Sequence, residues 1–153
     1  MDYYRSALHK VRTALGLSAG DWNIFILAWA GLLVTDLLLR SRPFPRVQVW
    51  VDSKYKARPT IASEQAWEII RRKQRLVQLA ARYSLYRMEC LRQALVLQAL
   101  LGADGLRSEL RFGARKTGEG LLAHAWLEYA GQSIELNHAR EAYQPLRPLK
   151  KQP

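Results

Sequence analysis

One cysteine in this 153-residue chain has the type and position to do covalent chemistry. Cys90 begins an apolar segment, Cys90 to Leu101, that is predicted to form a helix ended by Gly102. A cysteine attacks as its thiolate, and the N-terminus of a helix stabilises that anion through partial positive charge and free N–H groups. The same N–H groups can hold the oxyanion of a tetrahedral intermediate. Cys90 is therefore predicted to be a nucleophile, the alternative being a small buried side chain.

A histidine on a predicted strand could serve as the base for this thiol. His124 lies in the middle of the strand predicted from Leu121 to Ala130. A general base needs a rigid support that points its ring at the nucleophile. The small side chains of Ala123 and Ala125 leave room for a helix to approach. A structural histidine is the alternative for His124 alone, but the pair favours a Cys-His enzyme.

The elements that must position this pair come in the order helices first, then strands. The fold class predicted is α+β, with a Cys-bearing helix packed on a small antiparallel sheet. Asp21 is the predicted N-cap of the apolar helix. The predicted elements are a helix over 2–15, an apolar helix over 22–40, a basic connector over 46–60, a helix from Ser63, the Cys90 helix, and strands over 108–114, 121–130 and 133–137. We assign residues 1–60 to an N-terminal extension, 61–146 to the core and 147–153 to a frayed tail of one compact unit.

Composition excludes several classes of protein. Half of the residues are hydrophobic (49%) and 24% are charged, as in a single globular domain. One cysteine and three histidines exclude a disulfide framework and a zinc site of recognised spacing, so we expect no metal and no cofactor. The net charge of +11 suggests nucleic acid, but residues 1–87 hold most of it and no nucleic-acid-binding motif accompanies it. We expect a peptide or protein partner instead, and a basic binding module remains the alternative.

The most apolar segment, Trp22 to Leu39, could be a buried helix or a contact with a membrane or a partner protein. Asn23, Thr35 and Asp36 interrupt it, which favours a buried helix. The polar N-terminal segment does not have the form of a secretory signal, so we expect a cytoplasmic protein.

Several sequence blocks resemble the transglutaminase-like cysteine proteases that remove leader peptides in lasso-peptide biosynthesis. The blocks are Cys90-Leu-Arg-Gln-Ala-Leu-Val-Leu-Gln-Ala-Leu-Leu, Leu110-Arg-Phe-Gly113 and Ala123-His-Ala-Trp-Leu-Glu128, after an Asp21-Trp22 helix that leads to Pro43-Phe44. The resemblance implies a papain-like Cys-His-acid triad in a transglutaminase-like fold, with Cys90 and His124 as its first two members. It also implies a precursor-peptide substrate, a separate leader-recognition protein and an ATP-dependent macrolactam cyclase as partners. An acyltransferase of transglutaminase type is the alternative with the same residues.

The third member of the triad is not fixed by the resemblance. The family pattern expects an Asp at the position of Leu136, whose neighbours are polar. A two-residue turn at 130–131 would pair Trp126 with Glu135 and His124 with Asn137. An amide can orient the imidazole, and a carboxylate also stabilises its charged form. We favour Glu135, because its longer side chain tolerates a register error, and keep Asn137 as the alternative.

Four further residues are candidates for binding the substrate because they lie near the two catalytic candidates in sequence. They are Tyr83, Tyr86, Arg87 and Trp126. Packing of the connector is the alternative for the first three.

Overall fold

The computed structural model describes residues 16–56, 63–84, 89–117, 120–134 and 144–145. The predicted helix over 2–15 and the tail over 147–153 lie outside these residues. So do four of the site candidates, namely Tyr86, Arg87, Glu135 and Asn137.

The described residues form helices followed by an antiparallel sheet, which confirms the predicted α+β class. The helices are α1 (Ala19–Ser41), α2 (Phe44–Asp52), α3 (Ser63–Arg82) and α4 (Cys90–Ala103). The strands are β1 (Glu109–Thr117), β2 (Gly120–Tyr129), β3 (Gln132–Ile134) and β4 (Gln144–Pro145), in the sheet order β3-β2-β1-β4. The main core joins α1, α3, α4 and β2, so the Cys-bearing helix packs on the sheet as predicted.

Helix α1 begins at a capping box, one turn before the predicted N-cap. Ser18 is the N-cap, and its hydroxyl accepts a hydrogen bond from the Asp21 N–H (3.1 Å), while Asp21 Oδ2 accepts one from the Ser18 N–H (3.4 Å). Asp21 therefore occupies the third helical position, where a carboxylate completes the box. Its other oxygen accepts a hydrogen bond from Arg72 of α3 (2.6 Å), which ties the start of α1 to α3.

Helix α1 is buried along one side only, so the prediction of a buried helix holds in part. Ala28, Leu32 and Thr35 are buried. The opposite side exposes large apolar side chains, including Ile26 (57%) and Leu37 (67%). By length and composition α1 could cross a membrane, and among the described helices this is true of α1 alone. The finding is weak support for a membrane span. The side of α1 that packs on the other helices explains why so apolar a segment folds as part of the domain.

Helix α2 replaces the first half of the connector predicted over 46–60. Pro43 is its N-cap and Pro45 lies in its first turn. Proline ends a preceding helix, but its fixed φ also suits the first turn of a new one. Val47 and Val51 are buried against Leu95 of α4. The prediction was wrong because the two prolines were interpreted only as a break.

Helix α4 starts at Cys90 as predicted but ends one residue beyond the glycine expected to cap it. Gly105, with φ of 82°, takes the left-handed conformation, and the Leu106 N–H donates to Leu101 O (3.0 Å) as in a Schellman motif. Gly102 is instead inside the helix, where a Cβ would lie 3.1 Å from Tyr55 Cα. Its lack of a side chain lets the backbone that follows α2 approach α4.

The sheet register agrees with the predicted β2–β3 hairpin. Tyr129 pairs with Gln132 across Ala130 (φ 49°) and Gly131 (φ 77°), two left-handed residues typical of a type I′ turn. Strand β1 runs three residues beyond its predicted end at Ala114, because its pairing with β2 continues to Thr117 opposite Gly120.

Candidate active site

Cys90 is the first residue of α4 and carries a free, half-buried thiol. Glu89 is the N-cap and makes no side-chain capping hydrogen bond. The N–H groups of Arg92 and Gln93 donate to Glu89 O (3.1 and 3.3 Å), which leaves those of Cys90 and Leu91 without an acceptor inside the helix. Two backbone donors therefore accompany the thiol, as an oxyanion site beside a nucleophile requires.

A partly buried ion pair fixes the first turn of α4 to α1. Arg92 Nε lies 2.7 Å from Asp36 Oδ1, and Arg40 Nε lies 2.9 Å from the other oxygen. Partial burial raises the pKa of Asp36, but the hydrogen bonds from Arg92 and Arg40 outweigh that effect and lower it overall. Asp36 therefore stays ionised and holds the helix that carries Cys90.

Cys90 lies on a side of α4 that is buried further along the helix. Ala94, Leu97 and Leu101 follow it at helical spacing and belong to the core that includes Leu127 of β2. At the other end of α4, Gln98 Nε2 donates to Ser108 O just before β1 (3.2 Å).

From the contact between Gln98 and Ser108, α4 and β1 both run to the same end of the layer that α4 forms with the sheet. Helix α4 leads back from Gln98 to Cys90, and β1 leads forward from Ser108 to Gly113. Gly113 pairs with His124 of β2. The fold thus brings Cys90 and His124 to one end of the layer, although they belong to separate elements.

The side chain of His124, however, lies on the face of β2 opposite the one that packs on the described helices. Successive residues of a strand point to opposite faces, so His124 shares a face with Trp126 and Glu128. The other face packs on helices: Tyr129 contacts Trp67 of α3 with ring centroids 5.6 Å apart, and Leu127 joins the core. The expectation that β2 points the imidazole toward the Cys90 helix does not match this arrangement. Whether the two residues react as a pair stays a prediction.

The imidazole of His124 is buried against an aromatic ring. Its ring stacks on Trp126, with centroids 6.0 Å apart and planes 23° apart, and His124 is only 5% exposed. Trp126 Nε1 donates to Glu128 Oε1 (3.4 Å), and Arg111 Nε donates to Glu128 Oε2 (2.9 Å). Trp126 is 1% exposed. Trp126 packs against His124 and restrains the plane of its ring, and a role in substrate binding stays a prediction.

Tyr83 packs at the end of α3 beside α1. Its carbonyl accepts a hydrogen bond from Trp29 Nε1 (3.3 Å), and its ring meets the edge of Phe25 at 6.2 Å. This contact fits the packing role that was the alternative for Tyr83.

No group of three or more His, Cys, Asp or Glu side chains able to hold a metal occurs in the part of the chain that the structure describes.

Sequence reasoning missed two ion pairs near the candidate site, one between Asp36 and Arg92 and one between Glu128 and Arg111. Asp36 was interpreted as an interruption of an apolar helix, and no partner was predicted for Glu128. A carboxylate inside an apolar segment is costly unless it is paired, so Asp36 itself signalled a buried cationic partner. The partner's identity, Arg92, depends on the packing of α1 on α4.

Comparison with known families decides the superfamily. A family model described as transglutaminase-like superfamily matches residues 31–149, from within α1 to beyond β4. The chain belongs to the transglutaminase-like superfamily. This superfamily generally contains cysteine-dependent enzymes, both proteases and acyltransferases. The match spans Cys90 and His124 and confirms the broader part of the resemblance seen in the sequence. No curated protein and no solved structure matches the chain.

Proposed function

We propose that this protein is a cysteine endopeptidase that removes the leader peptide from a ribosomally made lasso-peptide precursor. It acts in the cytoplasm with a separate leader-recognition protein, before an ATP-dependent cyclase closes the macrolactam ring. The observation that carries the proposal is Cys90, half-buried at the first residue of α4, in a chain of the transglutaminase-like superfamily. The sequence resemblance around Cys90 and His124 supports the narrower assignment to leader cleavage.

The proposed reaction passes through a thioester. His124 takes the proton of the Cys90 thiol, and the sulfur attacks the scissile carbonyl carbon. The N–H groups of Cys90 and Leu91 donate to the resulting oxyanion. When the C–N bond breaks, His124 returns the proton to the leaving amine and the acyl group stays on sulfur. Water, deprotonated by the same imidazole, then releases the leader as a carboxylic acid and regenerates the thiol.

This reaction places a requirement on His124. An imidazole nitrogen must come within hydrogen-bond reach of Cys90 Sγ during the reaction, although strand alternation places His124 on the face of β2 opposite Leu127. The third group, Glu135 or Asn137, would accept a hydrogen bond from the other ring nitrogen. We expect Glu135→Ala to lower turnover more than Asn137→Ala does, with neither preventing alkylation of Cys90.

Cleavage of precursor by purified variants tests the proposal. The precursor is incubated with the protein and its recognition partner, and products are followed by mass spectrometry. We expect no cleavage by Cys90→Ala, and a loss of about 10² to 10⁴ in rate for His124→Ala, the usual contribution of a general base. His9→Ala, which changes a histidine 81 residues before Cys90 in the sequence, is the histidine control and should cleave at the wild-type rate. Cleavage by Cys90→Ala at the wild-type rate would exclude Cys90 as the nucleophile and so refute the proposed cysteine endopeptidase.

A primary amine distinguishes the two reactions that share the thioester. Glycine ethyl ester is added to the same assay as an acceptor. An endopeptidase releases the leader with a free carboxylate even when the amine is present. Predominant formation of the leader amide would instead identify an acyltransferase of transglutaminase type.

A further inference from the structure

An open apolar groove of about 330 Å³ lies between the start of α1 and the end of α3. Its walls are almost entirely apolar and come from Trp22, Phe25, Ile26 and Trp29 of α1, with Leu79 and Tyr83 on the α3 side. Edge-to-face contacts from Trp22 to Phe25 (5.6 Å) and from Phe25 to Tyr83 (6.2 Å) hold the rings in place. The described residues thus shape the groove among themselves, and Ile26 is 57% exposed at its edge.

A basic cavity adjoins this groove. It shares Leu17 and Leu79 with the groove and is lined by Arg75 and Arg82 of α3. These arginines are two helical turns apart on one side of α3, about 10 Å by helix geometry. Within the described ranges neither forms an ion pair, and the carboxylate that lines the cavity, Asp21, is already held by Arg72. The groove and the basic cavity together complement a ligand in which large apolar side chains lie next to acidic ones.

The groove is close to Cys90 along the chain. Tyr83 at its wall precedes Cys90 by seven residues, which span at most about 25 Å when extended. A peptide with its scissile bond at Cys90 can therefore reach the groove with a segment roughly eight or more residues away. This continuity favours the substrate itself as the occupant.

We propose that the groove is an exosite for an acidic, amphipathic segment of the substrate peptide. Apolar side chains of that segment enter the groove, and its carboxylates meet Arg75 and Arg82. This inference rests on the proposed function in so far as the substrate is a peptide. It assigns part of substrate selection to this chain itself, in addition to any recognition partner.

Binding to the Cys90→Ala variant tests the exosite without catalysis. The probe is a fluorescein-labelled 20-residue peptide with Leu and Phe on one helical face and Glu on the other. Companion probes replace every Glu by Lys, or every apolar residue by Ser. We expect the acidic amphipathic probe to bind and the companions to bind at least about tenfold more weakly, judged by anisotropy.

Matched substitutions locate the binding. Ile26→Glu should weaken binding of the acidic probe about tenfold or more, the loss expected when an apolar contact becomes a buried charge. Leu37→Glu places the same charge on an equally exposed apolar position of α1 outside the groove, and should change affinity less than about twofold. Arg75→Glu with Arg82→Glu should weaken binding about fivefold or more, and Arg71→Glu should not. Equal effects of the groove and control variants would overturn the proposal.

Two further readouts separate the possible outcomes. If Ile26→Glu abolishes sedimentation with phosphatidylglycerol vesicles but leaves peptide affinity unchanged, the surface binds membranes and the exosite is refuted. In the active protein, Ile26→Glu should lower kcat/KM for the precursor and leave it unchanged for a short peptide around the scissile bond. If both substrates are cleaved with unchanged kcat/KM, the exosite fails while the proposed function stands. If the groove binds the probe but nothing is cleaved, the proposed function fails alone.

Discussion

Replacing Gly102 by alanine has two opposing effects on the free energy of unfolding. Alanine is favoured over glycine inside a helix by about 1 kcal/mol. The added Cβ, however, would lie 3.1 Å from Tyr55 Cα and 3.3 Å from Tyr55 N, and both atoms are backbone. They cannot withdraw freely, because the Lys56 N–H donates to Gly102 O (2.8 Å) and keeps that segment against α4.

Steric strain should therefore exceed the gain in helix propensity. Forcing an extra carbon into a packed contact costs about 1 to 3 kcal/mol. Relaxation by separating the segments would lose the hydrogen bond to Gly102 O, about 1 kcal/mol. The expected net result is a destabilisation of about 1 to 2 kcal/mol, measured by urea unfolding monitored by tryptophan fluorescence.

Gly20→Ala is the matched control. Gly20 is also helical, but a Cβ there would meet only the far end of the Arg72 side chain (3.1 Å) and Ser18 Oγ (3.9 Å). A flexible side chain can move aside, so this variant should gain up to about 1 kcal/mol. If Gly102→Ala proved as stabilising as Gly20→Ala, the close approach of Tyr55 to α4 would be refuted.

Two other predictions concern charged groups. Asp104→Asn removes the negative charge 2.6 Å from Lys73 Nζ and leaves the buried ammonium with neutral acceptors such as Leu100 O, so we expect a loss of about 1 to 3 kcal/mol in urea unfolding, against almost none for the exposed Glu109→Gln. A loss under about 0.5 kcal/mol would contradict this account of the pair. Acid should weaken the fold through Asp36: its pKa is lowered in the folded state, so its stabilisation is complete above its ordinary value of 3.8 and is lost as pH falls through the lowered one. The urea midpoint should therefore fall more between about pH 5 and pH 3 in the wild type than in Asp36→Asn, and equal falls would contradict the prediction.

The sequence predicts the elements better than it predicts their contacts. The start of α4 at Cys90 and the turn at Gly131 follow from local signals, a reset of the apolar pattern and a turn residue between alternating strands. Such signals act within a few residues, so no packing partner is needed to interpret them. The short helix α2 escaped because its two prolines serve equally as a break and as a helix start.

The orientation of His124 could not be predicted, for a physical reason. Alternation shows which residues of β2 share a face, but the strand carries large apolar residues on both faces, Trp126 on one and Leu127 on the other. Apolar character therefore does not tell which face packs on the helices. That choice is made by long-range contacts such as Trp67 with Tyr129, and these lie beyond any local pattern.

Activation of the Cys90 thiol by His124 can be measured through the pH dependence of alkylation. Cys90 is the only cysteine, so the iodoacetamide adduct reports this thiol alone. An ordinary thiol reacts as thiolate only as pH approaches about 8.5, and urea-unfolded protein supplies that reference. We expect the folded wild type to be alkylated faster than His124→Ala on the acid side of that reference, with the two rates converging as pH approaches it. Identical profiles for wild type and His124→Ala from about pH 5 to pH 9 would contradict activation of Cys90 by His124.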